Sequence, residues 1–380
     1  MKYGTLILHN GNEFDPHTGA LSIPVYQAST FHQNDIDNLG KYGYSRSGNP
    51  TREALEKTLA ALENGTHAYA FSSGMAATSS SLAILEQGDH VVATEDIYGG
   101  SYRILTCFFN KFGITTTFVD MTRLENIEQA IRPNTKALFL ETPSNPLLKI
   151  TDILGAVRIA KMHGLMTMID NTFLSPYFLR PLDLGIDIVI HSATKFLGGH
   201  SDVIGGAVIT KSEDLASKIY FVQNGFGAVL GPQDSWLLLR GIKTLRARME
   251  LQQQSAMEIA QWLKTQPWVT DVYYPGLPDH PGHAILKSQT SGFGAVLSFK
   301  TDTVERARQI MQHVKLWSVA VSLGGVESIL SYPVKMSHAA IPPSERERLG
   351  ITDNLIRLSV GLEDAGDLIE DLGGNPARCR

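Results

Sequence analysis

Cysteine is nearly absent from this 380-residue chain: Cys107 and Cys379 are the only two. Two thiols cannot staple a chain of this length, which excludes a disulfide-framed secreted scaffold and fits a reducing compartment. No apolar run approaches the roughly 20 residues of a membrane helix. The opening Met1-Lys2-Tyr3-Gly4-Thr5-Leu6 lacks the apolar stretch of a signal peptide. Both absences point to a soluble, cytoplasmic protein. Long basic runs are missing too, and a net charge of -5 gives nucleic-acid binding little support. No glycine fingerprint follows a strand at the spacing a dinucleotide fold demands, and there is no P-loop. His280 and His283 lack further ligand types nearby and have a proline between them, so they read as a surface loop and not a metal site. What is present is an ordinary globular balance, 43% hydrophobic and 19% charged, with enough chain to bury a large core in two or three domains.

Residues 1–45 are rich in Gly, Asn, Pro, Ser and Thr, with weak periodicity. They read either as an extended arm packed on a partner subunit or as a mobile tail, and composition leaves both open. From Thr51 the pattern turns helical: Leu55, Leu59 and Leu62 recur at spacings of four and three, and Asn64-Gly65 stops the run. Short apolar runs then alternate with amphipathic stretches. Strands are expected at 68–71, 90–93, 115–119, 137–140, 166–169 and 186–190, and helices at 76–85 and 102–109. This rhythm argues for an α/β fold with a mainly parallel sheet covered on both faces, and a ligand at the carboxyl ends of its strands. A long stretch from Asp234 to about Leu263 leads into a smaller mixed domain, with strands at 269–274, 294–299 and 355–360 and helices at 304–313 and 365–372. The division is an arm at 1–45, a large domain at 46–235 and a C-terminal domain at 236–380, with 373–380 as a frayed tail.

Lys195 carries the chemistry. It lies in Ser192-Ala193-Thr194-Lys195-Phe196-Leu197-Gly198-Gly199, between an apolar strand and a Gly-Gly turn. Burial there lowers an amine's pKa and makes it a nucleophile. Asp170, in Asp170-Asn171-Thr172, ends another strand and falls on the same rim. A lysine with a distant aspartate is the pairing that pyridoxal phosphate (PLP) enzymes need: the amine bonds the cofactor and the carboxylate keeps its ring nitrogen protonated. Phe71-Ser72-Ser73-Gly74-Met75-Ala76 joins a strand to a helix, and the amides at Gly74 and Met75 are candidates for a phosphate cup. Ser192 and Thr194 are candidate hydroxyl donors to that phosphate, or ordinary turn caps. Arg46, on a Gly/Pro-rich loop, is a second phosphate candidate or a solvated loop arginine. Tyr98 can stack on a pyridine ring or serve as a core tyrosine. Arg357 lies inside the apolar strand Leu355-Ile356-Arg357-Leu358, where a charge needs a partner: a substrate carboxylate or a structural salt bridge. Ser322, in a Gly-rich turn, can lend donors to the same carboxylate.

Together these segments resemble the Cys/Met-metabolism family of PLP enzymes, a branch of the aspartate-aminotransferase fold (fold type I). The resemblance runs from about Thr5 to Asp371. Its most specific pieces are Tyr44-Ser45-Arg46-Ser47-Gly48-Asn49-Pro50-Thr51, Ser73-Gly74-Met75-Ala76, Glu141-Thr142-Pro143-Ser144-Asn145-Pro146, Asp170-Asn171-Thr172 and Ser192-Ala193-Thr194-Lys195. It implies that Lys195 carries PLP and acts catalytically, that Asp170 pairs with the pyridinium, and that Gly74, Met75, Ser192 and Thr194 bind the phosphate. It implies Tyr98 against the ring and Asn145, Ser322 and Arg357 on the substrate carboxylate. Tyr44 and Arg46 would reach the phosphate of a neighbouring subunit, giving a dimer with shared sites and a tetramer of two such dimers. Tyr44, Tyr98 and Lys195 all stand as proton donors to a leaving thiolate.

Within the family, γ-acting members commonly carry acidic residues just before the Tyr44 and Ser322 positions; here those residues are Gly43 and Val321. The stretches around Ser322 and Ser337-His338-Ala339-Ala340 are most similar to bacillus-type cystathionine β-lyases, although Leu323 stands where other β-lyases have tryptophan. The resemblance therefore implies cleavage of L-cystathionine to homocysteine, pyruvate and ammonia in methionine biosynthesis. A γ-lyase, a γ-synthase or a methionine γ-lyase is the nearer alternative, and a catalytically silent protein of the same fold the remote one.

Overall fold

A computed structural model describes residues 1–11 and 13–373; the expected frayed tail falls almost wholly outside them. The first sheet has seven strands: β1 (His67–Phe71), β2 (His90–Thr94), β3 (Thr115–Val119), β4 (Thr135–Glu141), β5 (Met166–Asp170), β6 (Ile188–His191) and β7 (Gly206–Thr210). Their spatial order is β1-β7-β6-β5-β4-β2-β3. β7 alone runs against the others, pairing antiparallel with both β1 and β6. Every residue of β2, β6 and β7 is buried. That is why these strands read as unbroken apolar runs: a sheet covered on both faces leaves no solvent side for alternation.

A second sheet holds β8 (Val269–Tyr273), β9 (Val296–Thr301), β10 (Ser318–Val319), β11 (Ile329–Ser331) and β12 (Leu355–Ser359), in the order β10-β11-β12-β9-β8. Between the two sheets in sequence run helices Pro232–Ile242 and Leu245–Leu263. One continuous apolar core links both sheets, from Leu138 and Ile169 in the first to Leu297 and Leu358 in the second.

The helix Pro50–Leu62 starts as its sequence demands. Asn49 caps it by accepting from the amides of Thr51 and Arg52, Pro50 takes the first position, and Leu55, Leu59 and Leu62 are buried. Several elements depart from the sequence expectation, β10 and β11 of the second sheet among them. The N-terminal segment contains a helix, Tyr3–His9, which buries Ile7 in the main core. The helix expected over 102–109 is α-helical only at Gly99–Arg103 and continues as a π turn (Ile104–Phe108) and a 3-10 turn (Phe109–Phe112). Strand β7 is added between β6 and β1. The 280–283 loop occupies both histidines: His280 Nδ1 accepts from Gly282 N, and His283 Nδ1 bonds Pro275 O at 2.8 Å with its ring stacked on Phe293.

Candidate active site

The carboxyl ends of β1, β4, β5 and β6 open on one cavity of about 710 Å³, closed on its other side by segments 321–323 and 336–340 and by Arg357 from β12. At the end of β1, Ser73 caps helix Gly74–Leu82 by accepting from Ala76 N. The first main-chain bond of that helix runs from Ala77 to Ser73, so the amides of Gly74 and Met75 precede the hydrogen-bond ladder and are free to take an anion. A Cβ on Gly74 would lie 2.7 Å from Ser192 Cβ. Only glycine lets the helix start sit this close to the loop after β6.

That loop carries Lys195, whose Nζ donates to Ser322 Oγ at 2.5 Å. Ser322 is held at φ +89°, a left-handed backbone conformation that non-glycine residues seldom adopt. Burial, and next the Arg357 guanidinium, push the Lys195 amine down to about 8 from 10.5. Asp170 lines the same cavity; burial raises its carboxyl, while the Thr172 hydrogen bonds act against the rise. Arg357 is 3% exposed. Its Nη1 donates to Asn145 Oδ1 at 2.9 Å, and its Nη2 to Ser322 O at 2.8 Å and Ser331 Oγ at 3.2 Å. Its Nε is buried with no hydrogen-bond partner. Burial pulls the guanidinium down to about 10. Its ties run to an amide, a carbonyl and a hydroxyl, so the structural salt bridge that the sequence left open is not what the guanidinium makes.

Ten of the twelve residues singled out from the sequence therefore line one cavity: Gly74, Met75, Tyr98, Asn145, Asp170, Ser192, Thr194, Lys195, Ser322 and Arg357. The Thr194 hydroxyl is already engaged with the Gly205 main chain, donating to its carbonyl at 3.2 Å and accepting from its amide at 3.1 Å. Tyr44 and Arg46 lie outside the cavity. Arg46 Nη1 donates to Asn224 O at 2.7 Å and its guanidinium stands 5.5 Å from the Tyr44 ring centroid. The buried Arg52 holds their loop by donating to the carbonyls of Ser45 and Arg46.

Among the lining residues given no role from the sequence, Thr172 and Glu141 make defined contacts. Thr172 Oγ1 accepts the Ser192 amide at 2.8 Å, and its own amide donates to Asp170 Oδ1 at 2.9 Å, tying the β5 and β6 ends together. Glu141, the last residue of β4, stands in register beside Asp170. Its place at a strand's carboxyl end was the available signal.

Residues 4–375 match the family described as Cys/Met metabolism PLP-dependent enzyme. The chain is 56% identical over 367 residues to cystathionine beta-lyase MetC of Bacillus subtilis (strain 168), covering 97% of this chain and 94% of that relative. It is 54% identical over 373 residues to cystathionine gamma-lyase of the same strain, covering 98% of each. The crystal structure of cystathionine gamma-lyase from Lactobacillus plantarum, complexed with L-serine, superposes with a TM-score of 0.96 at 48% identity over 98% of both chains. The expected α/β fold, with its mainly parallel sheet and smaller mixed sheet, is borne out.

Proposed function

The chain belongs to the Cys/Met-metabolism family of PLP-dependent enzymes, and from that premise we propose that it is a carbon–sulfur lyase splitting L-cystathionine by β-elimination. The observation that carries this reading is the buried Lys195 amine, brought down to about 8 and sharing a cavity with Asp170 and a buried arginine that has no carboxylate bonded to it. PLP, when bound, supplies an aldehyde carbon open to an amine and a ring that draws electron density from a substrate's α-carbon. The residues present fit it: a lysine of lowered pKa, a carboxyl group for the ring nitrogen, and two free helix-start amides for the phosphate.

Gly74 and Met75 would bind the phosphate through their amides, with Ser192 and Thr194 adding hydroxyls, and Asp170 would hold the ring-nitrogen proton. Tyr98 would cover the ring. Arg357, with Asn145 and Ser322, would take the substrate α-carboxylate, supplying the anion that the buried guanidinium lacks. With the substrate so oriented, the neutral Lys195 amine removes the proton from Cα. The Cβ–S bond breaks, the thiolate leaves as homocysteine once protonated, and one water completes the conversion to pyruvate and ammonia. Lys195 and Tyr98 line the cavity and can supply the thiolate proton; Tyr44 can do so only from a neighbouring chain. We place Tyr44 and Arg46 at a partner's phosphate, so that a dimer is the smallest complete unit and two dimers form the tetramer. The enzyme would serve methionine biosynthesis in the cytoplasm.

A γ-elimination reading also has support, since the Bacillus subtilis relative at 54% identity and the Lactobacillus plantarum structure are both named cystathionine gamma-lyase. Against it, Val321 lines the cavity where an acidic residue would meet a distal ammonium. The product profile from L-cystathionine decides. Pyruvate with homocysteine supports β-elimination; 2-oxobutyrate with cysteine overturns it.

A further inference from the structure

Glu141 is a buried acid in the cavity to which the proposed reaction gives no task. It is 5% exposed, ends β4, and stands beside Asp170 in the β4–β5 register. Its Oε2 accepts the main-chain N–H of Tyr98 at 2.9 Å. Tyr98 depends on such a hold. The residue is 41% exposed, and it stands at the N-cap of a five-residue helix without a side-chain cap of its own.

The loop leading to Tyr98 is tied to the segment after β4 by two further carboxylates. Asp96 accepts from the Ser144 hydroxyl, and Glu95 accepts from Lys149 Nζ at 2.9 Å and from Arg348 Nη2 at 2.9 Å. These contacts fix the loop at residues 95 and 96; the Glu141 contact reaches residue 98 itself. A backbone amide fixed at Tyr98 sets where its Cα–Cβ bond points, and hence the plane available to the ring.

We propose that Glu141 is a positioning residue which, by accepting the Tyr98 main-chain N–H, fixes the Tyr98 ring over the face of bound PLP. The inference rests on the proposed placement of Tyr98 against the cofactor. Burial first, and then the neighbouring Asp170, raise the Glu141 carboxyl well above the usual carboxylate range. The carboxyl keeps an acceptor oxygen for the Tyr98 N–H in either protonation state. Glutamine, which keeps an acceptor oxygen of the same reach, should substitute for it. Methionine, of similar length and without that oxygen, should not.

The test compares E141Q, E141M, Y98A and the double variant Y98A/E141M. The rate at which holoenzyme loses PLP on dilution is followed by its visible absorption, and the visible circular dichroism of the bound cofactor reports ring packing. E141M is expected to lose PLP about 5 to 100 times faster than wild type, the range for one buried N–H left unpaired, with a weakened dichroic band. E141Q should stay within about threefold of wild type, and Y98A/E141M should lose PLP no faster than Y98A, because E141M acts through the ring that Y98A has already removed. E141L, equally without an acceptor, repeats the test if E141M does not fold. Loss from E141Q as fast as from E141M would overturn the proposal in favour of a charge effect. Additive losses in the double variant would overturn it in favour of a route that bypasses Tyr98. An unchanged Y98A would overturn the placement of Tyr98 itself, which is the parent reading.

Discussion

Replacing Lys195 with methionine should stabilise the cofactor-free protein near neutral pH and do so less as pH rises. The folded chain holds the ammonium in a cavity that disfavours it, so its pKa falls from 10.5 to about 8. That difference corresponds to about 3 kcal/mol of destabilisation at any pH where both folded and unfolded lysines are protonated. Methionine has a similar length and no charge to desolvate. Losing the bond to Ser322 offsets about 1 kcal/mol of the gain, leaving the variant ahead by about 2 kcal/mol.

The pH window follows from the direction of the shift. Between about 8 and 10.5 the folded protein has shed the proton and the unfolded chain still binds it, so wild-type stability climbs with pH. The advantage of K195M is therefore full below about 8 and largely gone at 10.5. Urea unfolding of cofactor-free wild type and K195M, at fixed protein concentration and at about pH 7 and about pH 10, measures both quantities. An equal gap at the two pH values, or a wild type that is the more stable at pH near 7, would refute the argument. The same displacement that weakens the fold supplies a neutral amine close to working pH, which is what a base at Cα requires.

Arg357→Ala should raise KM for L-cystathionine by the equivalent of about 2–4 kcal/mol, the loss expected on breaking a buried charge pair; an unchanged KM would move the carboxylate site elsewhere. Thr172→Val should lower the unfolding free energy by about 1–3 kcal/mol, because the Ser192 amide loses the hydroxyl acceptor it has at 2.8 Å. Urea denaturation checks this, and an unaltered midpoint would show that water replaces the hydroxyl. K195A and R46A chains, each nearly inactive alone, should regain activity when unfolded together and refolded as a mixture, since one site of each hybrid dimer then keeps both residues. Failure to regain activity would confine Arg46 to its contact with Asn224 in the same chain.

Most of the first sheet was legible because a parallel strand buried on both faces leaves a continuous apolar run, as in β2 and β6. β7 escaped for a related reason. It follows β6 with no helix between them, and so breaks the strand–helix rhythm that revealed its neighbours. The N-terminal helix Tyr3–His9 is seven residues long and fully buries only Ile7, so its pattern is weak until that residue finds the core. The residues that bear chemistry stood out where their type was at odds with their setting: a lysine beside a Gly-Gly turn, an arginine inside an apolar strand.

Glu141 and Thr172 gave no such signal, although both lie inside segments that the family resemblance singles out. An acid closing a strand is unremarkable by itself, and a threonine after an aspartate is an ordinary turn residue. Their tasks arise from pairings between distant stretches of chain. Glu141 meets Asp170 through the β4–β5 register and Tyr98 through a loop 43 residues upstream, and Thr172 meets Ser192 20 residues downstream. A residue that acts on substrate must differ chemically from its surroundings, and sequence displays that difference. A residue that positions another needs only an oxygen at the right point in space, which the folded sheet alone specifies.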